Sequence, residues 1–156
     1  MRLLVISDSH YNKVMLENIY ELILNASPKF DAVAHLGDMI TDAKLLTERL
    51  RIPVYAVPGN CDCFCHESAE KTVMIGKVRT FLCHGHTQHV KYSTTALSYR
   101  AEEMQAKLVL YGHTHIPDIS YCNDMVLVNP GALKDGKYAV VEADDTGVTS
   151  VRLLSL

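Results

Sequence analysis

Residues 108–115 read Leu-Val-Leu-Tyr-Gly-His-Thr-His, an apolar run that ends abruptly in a glycine and two histidines. A short apolar run bounded by a turn residue is typical of a buried β-strand. Glycine lets the backbone turn sharply and approach a ligand without a Cβ in the way. The stretch therefore predicts a strand that delivers two imidazoles to one end of a sheet.

The same arrangement occurs four more times, since further predicted strands run directly into Asp, His or Asn, usually beside glycine. These segments are Leu3–Ile6 before Asp8-Ser9-His10, Ala32–Leu36 before Gly37-Asp38, Val54–Val57 before Gly59-Asn60-Cys61-Asp62, and Val78–Cys83 before His84-Gly85-His86. In open α/β sheets, residues just past the strand ends converge on one edge, where ligands bind. Five separate segments therefore predict one composite site.

The remaining pattern predicts an α/β chain. Apolar residues at helical spacing predict helices near residues 15–26, 43–50 and 97–104. A turn at Gly76-Lys77 predicts a hairpin, and the last third is strand-rich, with strands near 125–128, 138–141 and 148–153. No internal repeat or linker is present, so we expect a single domain over residues 1–156.

Composition indicates an ordinary globular protein, with 48% apolar and 21% charged residues and a formal net charge of −3. The sequence has no basic block and no aromatic groove that would favour binding of a long nucleic acid. We therefore expect a small substrate, with a metal-dependent nuclease as the weaker alternative. No apolar run exceeds four residues, so we expect no membrane span.

The five cysteines favour a reducing compartment. Their number is odd, three of them alternate at Cys61, Cys63 and Cys65, and no export signal precedes them, so we expect a cytoplasmic protein. A separate zinc site at these cysteines and His66 is disfavoured, because structural zinc sites use Cys-x₂₋₄-Cys pairs with a longer span between them.

The polar segments combine carboxylate oxygen, amide oxygen and imidazole nitrogen. This donor set suits Mn²⁺, Fe, Ni²⁺ or Zn²⁺ better than Ca²⁺, which prefers oxygen cages. In an extended segment residues i and i+2 point the same way, so Asp8 and His10 could bind one ion. Beyond a strand end the backbone can curve, so His113 and His115 could equally bind neighbouring ions.

The ordered series Asp-x-His, Gly-Asp, Gly-Asn-x-Asp, His-Gly-His and Gly-His-Thr-His resembles the metallophosphoesterase signature of calcineurin-like enzymes. The short length, Gly-Asn-Cys-Asp and the later Asn129-Pro130-Gly131 resemble the small single-domain phosphodiesterase branch, which also includes a retromer subunit. The similarity extends from Asp8 to Gly131. It implies a four-layer α-β-β-α sandwich and a dimer or higher oligomer.

The resemblance also implies a centre of two divalent transition-metal ions, with Mn²⁺ preferred and Ni²⁺, Fe or Zn²⁺ as alternatives. Asp8, His10 and His115 would bind the first ion, Asp38 would bridge, and Asn60, His84 and His113 would bind the second. A hydroxide held between ions about 3.5–4 Å apart would attack a small phosphodiester. The catalytic residues that we predict are Asp38, Asn60 and His86.

Two positions depart from the larger superfamily. Many relatives place a histidine after the asparagine to protonate the leaving group, and Cys61 stands there instead. The arginine that commonly follows Gly-Asp is replaced by Met39. A positioned general acid is worth roughly 10²–10⁴-fold in rate. We therefore expect diesters with acidic leaving groups to be preferred over monoesters, unless His86 or a bound water supplies the proton.

Other histidines have simpler expected roles. We expect His35 to be a hydrogen-bonded structural residue and His66 and His89 to lie in exposed loops, while His86 could instead make a purely structural hydrogen bond. The main functional alternative is a non-catalytic scaffold or interaction module on the same fold, as in the retromer subunit. All seven ligand positions carry good donors, which favours the enzyme, and His10 is the residue that a scaffold could lose.

Overall fold

Ten strands and three helices make up the structure, a computed structural model that describes all 156 residues. The strands are β1 (Arg2–Ile6), β2 (Ala32–His35), β3 (Val54–Ala56), β4 (Glu70–Ile75), β5 (Val78–Cys83), β6 (Leu108–Leu110), β7 (Asp118–Cys122), β8 (Met125–Asn129), β9 (Lys137–Asp144) and β10 (Gly147–Ser155). The helices are α1 (Lys13–Asn25), α2 (Ile40–Arg49) and α3 (Thr95–Glu103), with a 3₁₀ turn at Leu133–Asp135.

The strands form two five-stranded mixed sheets. The first has the order β10-β9-β1-β2-β3 and the second the order β4-β5-β6-β8-β7. In the first sheet β1, β2 and β3 are parallel, and in the second β5, β6 and β8 are parallel. The other pairings are antiparallel and lie towards the outer parts of the sheets.

Three buried apolar clusters separate four layers. The largest lies between the sheets and includes Leu3, Leu82 and Leu110. A second packs α1 and α2 on the first sheet, and a third packs α3 on the second sheet. The four-layer α-β-β-α sandwich that the resemblance implied is confirmed.

Helix α1 shows how local sequence gives each layer. Leu16, Ile19 and Ile23 lie on one face at helical spacing and are buried against the first sheet. The Asn12 side chain accepts a hydrogen bond of 3.2 Å from the Met15 backbone N–H, which caps the free amide at the helix start.

Two elements differ from the sequence-based expectation. Strand β7 was not predicted, because it is an edge strand that pairs only with β8 and has no fully buried residue to create an apolar pattern. Helix α2 begins at Ile40 rather than near residue 43, because Asp62 accepts hydrogen bonds from the Met39 and Ile40 amides across the chain. None of the three helices combines the length and the apolar character that a membrane-spanning helix needs.

The parallel strands bring their carboxyl ends to a common edge. Within the first sheet the Asp8 amide donates to the Gly37 carbonyl at 3.0 Å, and within the second the Gly112 amide donates to the His84 carbonyl at 3.0 Å. The two edges meet where the His84 ring donates to the Leu36 carbonyl at 2.6 Å. Loops from both sheets therefore face one another.

The inter-sheet cluster should dominate stability. Leu110 is 0% exposed within it, so Leu110→Ala leaves a cavity and should lower the free energy of unfolding by about 2–5 kcal/mol. Leu45 on α2 is 48% exposed and serves as a matched control, since Leu45→Ala should change the free energy of unfolding by less than about 0.5 kcal/mol. Urea denaturation measures both variants, and equal losses would contradict this packing.

Candidate metal centre

The seven residues predicted as metal ligands converge at the common edge of the two sheets. Asp8, His10 and His115 present donor atoms within 4.8 Å of one another, and so do Asp8, Asp38 and His84. Asn60 Oδ1 lies 3.1 Å from His84 Nε2. The rings of His84 and His113 are 5.0 Å apart between centroids.

Asp8 is fully buried, and the protein satisfies only one of its oxygens. Oδ2 accepts hydrogen bonds from Ser7 Oγ at 2.6 Å and from the His113 amide at 3.1 Å. Oδ1 has no hydrogen-bond partner and lies 3.1 Å from His115 Nε2 and 3.9 Å from His10 Nε2. A buried carboxylate oxygen without a donor is costly unless a cation binds it.

Asp38 lies between two groups of imidazoles. Its Oδ2 is 3.6 Å from His10 Nε2, and its Oδ1 is 3.6 Å from His84 Nε2. Burial acts to raise the pKa of this carboxyl, but the Cys61 amide, which donates to Oδ1 at 2.9 Å, and the two neighbouring histidines bring the pKa below its ordinary value. The carboxylate is therefore ionised and faces both groups.

His84 has its tautomer fixed by the backbone. The Leu36 carbonyl can only accept, so Nδ1 carries the proton and donates to it. In the neutral ring the Nε2 lone pair then faces Asn60 Oδ1, Asp38 Oδ1 at 3.6 Å and Asp8 Oδ1 at 3.9 Å. A lone pair and oxygens repel one another, and a metal cation among them removes the repulsion.

The other imidazoles complete two halves of the centre. The rings of His10 and His115 are 5.4 Å apart on the Asp8 side, and His10 Nε2 is buried without a hydrogen-bond partner. On the other side the His86 ring lies 5.5 Å from that of His84 and 6.1 Å from that of His113. The two histidines of His-Thr-His therefore lie on different sides, one of the alternatives that the sequence left open.

Electrostatics favours neutral rings on the His113 side. Burial and the nearby His84 lower the pKa of His113 to about 4. Burial, again together with His84, lowers the pKa of His86. His86 Nδ1 is buried with no hydrogen-bond partner, so the structure gives no support for a structural hydrogen bond through this atom. Neutral imidazoles keep the lone pairs that metal binding requires.

Backbone strain is concentrated at the same residues. Five of the seven candidate ligands have φ between 46° and 67°, in the left-handed region that side chains rarely adopt: Asp8, His10, Asp38, His113 and His115. Such strain costs of order 1–3 kcal/mol per residue and occurs mostly at functional sites. The neighbouring glycines allow the close approach, since a Cβ on Gly112 would lie 2.0 Å from Ser7 Oγ.

Two supporting residues have roles that the sequence did not reveal. Asp62 accepts from the Gly59 amide at 2.8 Å and from the amides of Met39 and Ile40, so it joins the loops that carry Asn60 and Asp38. Asn129 is fully buried and donates to the Gly112 carbonyl at 2.9 Å and to Thr114 Oγ1 at 3.0 Å. Its position directly after the strand predicted near residues 125–128 was the available signal.

A buried polar network lies beneath the centre. Ser9 Oγ donates to Asp42 Oδ2 at 2.6 Å and lies 3.3 Å from His35 Nε2. His35 Nδ1 accepts from the Gly37 amide at 3.3 Å, and burial lowers the pKa of this ring. The prediction of a hydrogen-bonded structural histidine is confirmed, and His66 and His89 are exposed as expected.

Cys61 also lies at the centre. Its Sγ falls within 4.8 Å of donor atoms of His10 and Asp38. Burial and the Asp38 carboxylate raise the pKa of the thiol to about 11. The position is thus next to the ligands, as the sequence series implied, but it carries a weak acid.

These observations fit a metal centre. A buried carboxylate oxygen without a partner, the His84 nitrogen that faces Asn60 Oδ1 and the unpaired imidazole nitrogens are donor atoms that one or more bound cations would satisfy. Nitrogen and oxygen donors together are characteristic of sites for first-row transition metals.

A sequence model of the calcineurin-like phosphoesterase superfamily domain matches residues 1–146. The probable metallophosphoesterase YsnB of Bacillus subtilis is 30% identical over 135 residues, which cover 86% of this chain and 76% of that protein. Phosphodiesterase YfcE of Escherichia coli K12 is 28% identical, with 99% of this chain and 93% of that protein covered.

Solved structures agree with these matches. A conserved uncharacterized protein of Streptococcus pneumoniae, described as a predicted phosphoesterase, superposes with a TM-score of 0.81 at 28% identity, covering 99% of this chain and 88% of that one. Zinc-bound Vps29 of Entamoeba histolytica superposes with a TM-score of 0.75 at 19% identity, covering 100% and 98%. The second likeness shows a shared fold alone.

Asn129 offers a test of how the His113 and His115 loop is held. Asn129→Asp keeps the size of the side chain but replaces a double donor with a carboxylate oxygen facing the Gly112 carbonyl. Loss of such supporting partners typically weakens metal affinity by about 10–100-fold. Isothermal titration with Mn²⁺ should show this loss, whereas Asn123→Asp, in an exposed turn, should bind as wild type. Equal affinity in both variants would contradict the role.

Proposed function

Because this chain belongs to the calcineurin-like phosphoesterase superfamily and is a metal-dependent phosphoesterase, we propose that it hydrolyses small phosphodiesters at a centre of two divalent transition-metal ions. The observation that carries the proposal is the position of Asp38, whose two oxygens each lie 3.6 Å from a histidine of a different group. A carboxylate placed in this way is suited to bridge two ions.

The proposed ligands divide into two sets around Asp38. Asp8, His10 and His115 would hold one ion, and Asn60, His84 and His113 would hold the other. Mn²⁺ is the ion that we propose, with Ni²⁺, Fe or Zn²⁺ as alternatives. When bound, such a pair would supply an activated water and positive charge for the phosphoryl oxygens.

The chain's own residues orient and stabilise this chemistry. The Asp8 and Asp38 carboxylates are held in place by backbone amides of His113 and Cys61, so little reorganisation is needed when substrate binds. Asn60 and His86, on the His84 side, border the position that a substrate would occupy. No imidazole occupies position 61, where many relatives carry the general acid.

The substrate that we propose is therefore a small diester with an acidic leaving group. Without a strong acid at Cys61, negative charge on a poor leaving group would be stabilised less well. A cavity of about 220 Å³ opens beside this residue and suits a small group. It is lined by Tyr11, Ile40, Thr41, Lys44, Cys61, Asp62, Cys63, Phe64 and Cys65.

Because Vps29 shares this fold, the alternative function is that of a non-catalytic interaction module. A scaffold does not need strained, unpaired donors, whereas this chain has five left-handed candidate ligands and an orphaned Asp8 oxygen. The complete donor set supports the enzyme, and the absence of metal-dependent turnover would favour the scaffold.

Asp38→Asn should reduce Mn²⁺-dependent diester hydrolysis to background and weaken both ions, because a neutral amide cannot replace a bridging carboxylate. His10→Ala removes one peripheral ligand and should be partly rescued by excess Mn²⁺. Asp145→Asn, at an exposed turn, is the matched control and should retain wild-type turnover. Rates measured across a Mn²⁺ series test all three, and near-wild-type turnover of Asp38→Asn would show that the ligand assignment is wrong.

Cys61→Ser should retain diester hydrolysis within about tenfold, a barrier change under roughly 1.4 kcal/mol, because the thiol is not the required acid. Cys61→His should raise monoester turnover relative to diester turnover, by supplying a proton to the leaving oxygen. The dependence of rate on leaving-group pKa is the measurement: it should be steep in the wild type and flatter in Cys61→His. A shallow wild-type slope would contradict the preference and point to His86 as the acid.

A further inference from the structure

We infer that Cys61 joins His10 and Asp38 to form a site for a single thiophilic divalent ion, such as Zn²⁺ or Cd²⁺, and that this ion inhibits the Mn²⁺-loaded enzyme. A sulfur, a nitrogen and an oxygen donor from these residues lie within 4.8 Å of one another. The three come from loops after β1, β2 and β3, so the site lies at the open end of the first sheet.

The nitrogen and oxygen donors are free to bind. His10 Nε2 has no hydrogen-bond partner, although it is buried. Asp38 Oδ1 accepts from the Cys61 amide, which leaves Oδ2 at 3.6 Å from His10 Nε2. Two ligands about 2.1 Å from one zinc ion lie at most about 4.2 Å apart, so this pair fits a single ion.

The sulfur is held beside them by the backbone. The Cys61 amide is fixed on the Asp38 carboxylate at 2.9 Å, and Asp62 closes the same loop by accepting from the Gly59 amide. Asn60 Nδ2 lies 3.5 Å from Sγ and can donate to it, which favours sulfur as an acceptor. The thiol is exposed, so an arriving ion reaches it without rearrangement of the core.

The donor types decide which ion binds. Thiolate is a soft ligand that prefers zinc-like ions to Mn²⁺, and on binding the thiol proton is released to solvent. A Cys-His-Asp set supplies three of the four ligands of a tetrahedral zinc site. Because His10 and Asp38 are also proposed ligands of the catalytic pair, the soft ion and that pair compete. The competition rests on the proposed function, whereas binding itself does not.

Cadmium titration of the metal-free protein tests binding without any assay of activity. Thiolate-to-cadmium charge-transfer absorption should rise to an end point at one ion per chain in the wild type. It should be lost in Cys61→Ser and persist in the matched controls Cys63→Ser and Cys65→Ser. His10→Ala should weaken the cadmium affinity by at least about tenfold. Absorption that survives Cys61→Ser, or that falls equally in all three serine variants, would overturn the site.

Zinc inhibition tests the competition. Zinc added to the Mn²⁺-loaded wild type should suppress diester hydrolysis, and excess Mn²⁺ should relieve it. Half-inhibition of Cys61→Ser should need at least about tenfold more zinc, while Cys122→Ser, on β7 and outside the proposed substrate cavity, should match the wild type. Equal zinc sensitivity of Cys61→Ser, or a wild type that zinc leaves active, would overturn the competition. A wild type without Mn²⁺-dependent turnover would refute the proposed function, and the cadmium titration would still judge the site.

Discussion

Asp8 lies just past the end of β1 in the first sheet, and its buried carboxylate accepts a hydrogen bond from the His113 amide in the loop that follows β6 of the second sheet. This bond joins the two halves of the sandwich at their common edge. It also leaves Oδ1 aimed at the imidazoles of His10, His84 and His115, with no donor of its own. The architecture thus creates a buried negative charge that only a cation or a proton can balance, and the remaining donors surround that charge.

The strained backbone is a consequence of the same constraint. The backbone must turn sharply after the strand ends to direct these side chains at Asp8 and Asp38. The left-handed φ values of the candidate ligands produce this turn. The cost is offset by buried structure on both sides, including the inter-sheet apolar cluster and the hydrogen bonds of Asp62 and Asn129. A site held in this way is preorganised, which is the condition for electrostatic catalysis.

Much of this could be predicted from the sequence, because each segment that delivers a donor is local. An apolar strand followed by glycine and a metal-type residue is visible in the sequence alone, as at residues 108–115, and five such segments predicted their convergence. What could not be predicted depends on contacts between distant parts of the chain. Asp62, more than twenty positions along the chain, accepts a hydrogen bond from the Ile40 amide, and α2 begins three residues earlier than predicted. Strand β7 forms by pairing with the edge of β8.

The distribution of donors within the site could not be predicted from residue spacing, and only the family resemblance implied it. Spacing left open whether His113 and His115 would face one ion or two, and in the folded structure the His115 ring lies beside His10 and the His113 ring beside His84. The proximity of Cys61 to His10 and Asp38 likewise required the folded loops. Ligand types were local information, whereas their grouping was tertiary information.

The central claim is that Asp38 bridges two ions, and anomalous diffraction tests it most directly. Crystals grown with Mn²⁺ and measured at the manganese absorption edge should show two anomalous peaks per chain. Asp38 should contact both peaks, with Asp8, His10 and His115 around one and Asn60, His84 and His113 around the other. A single peak, or two peaks of which only one touches Asp38, would contradict the account.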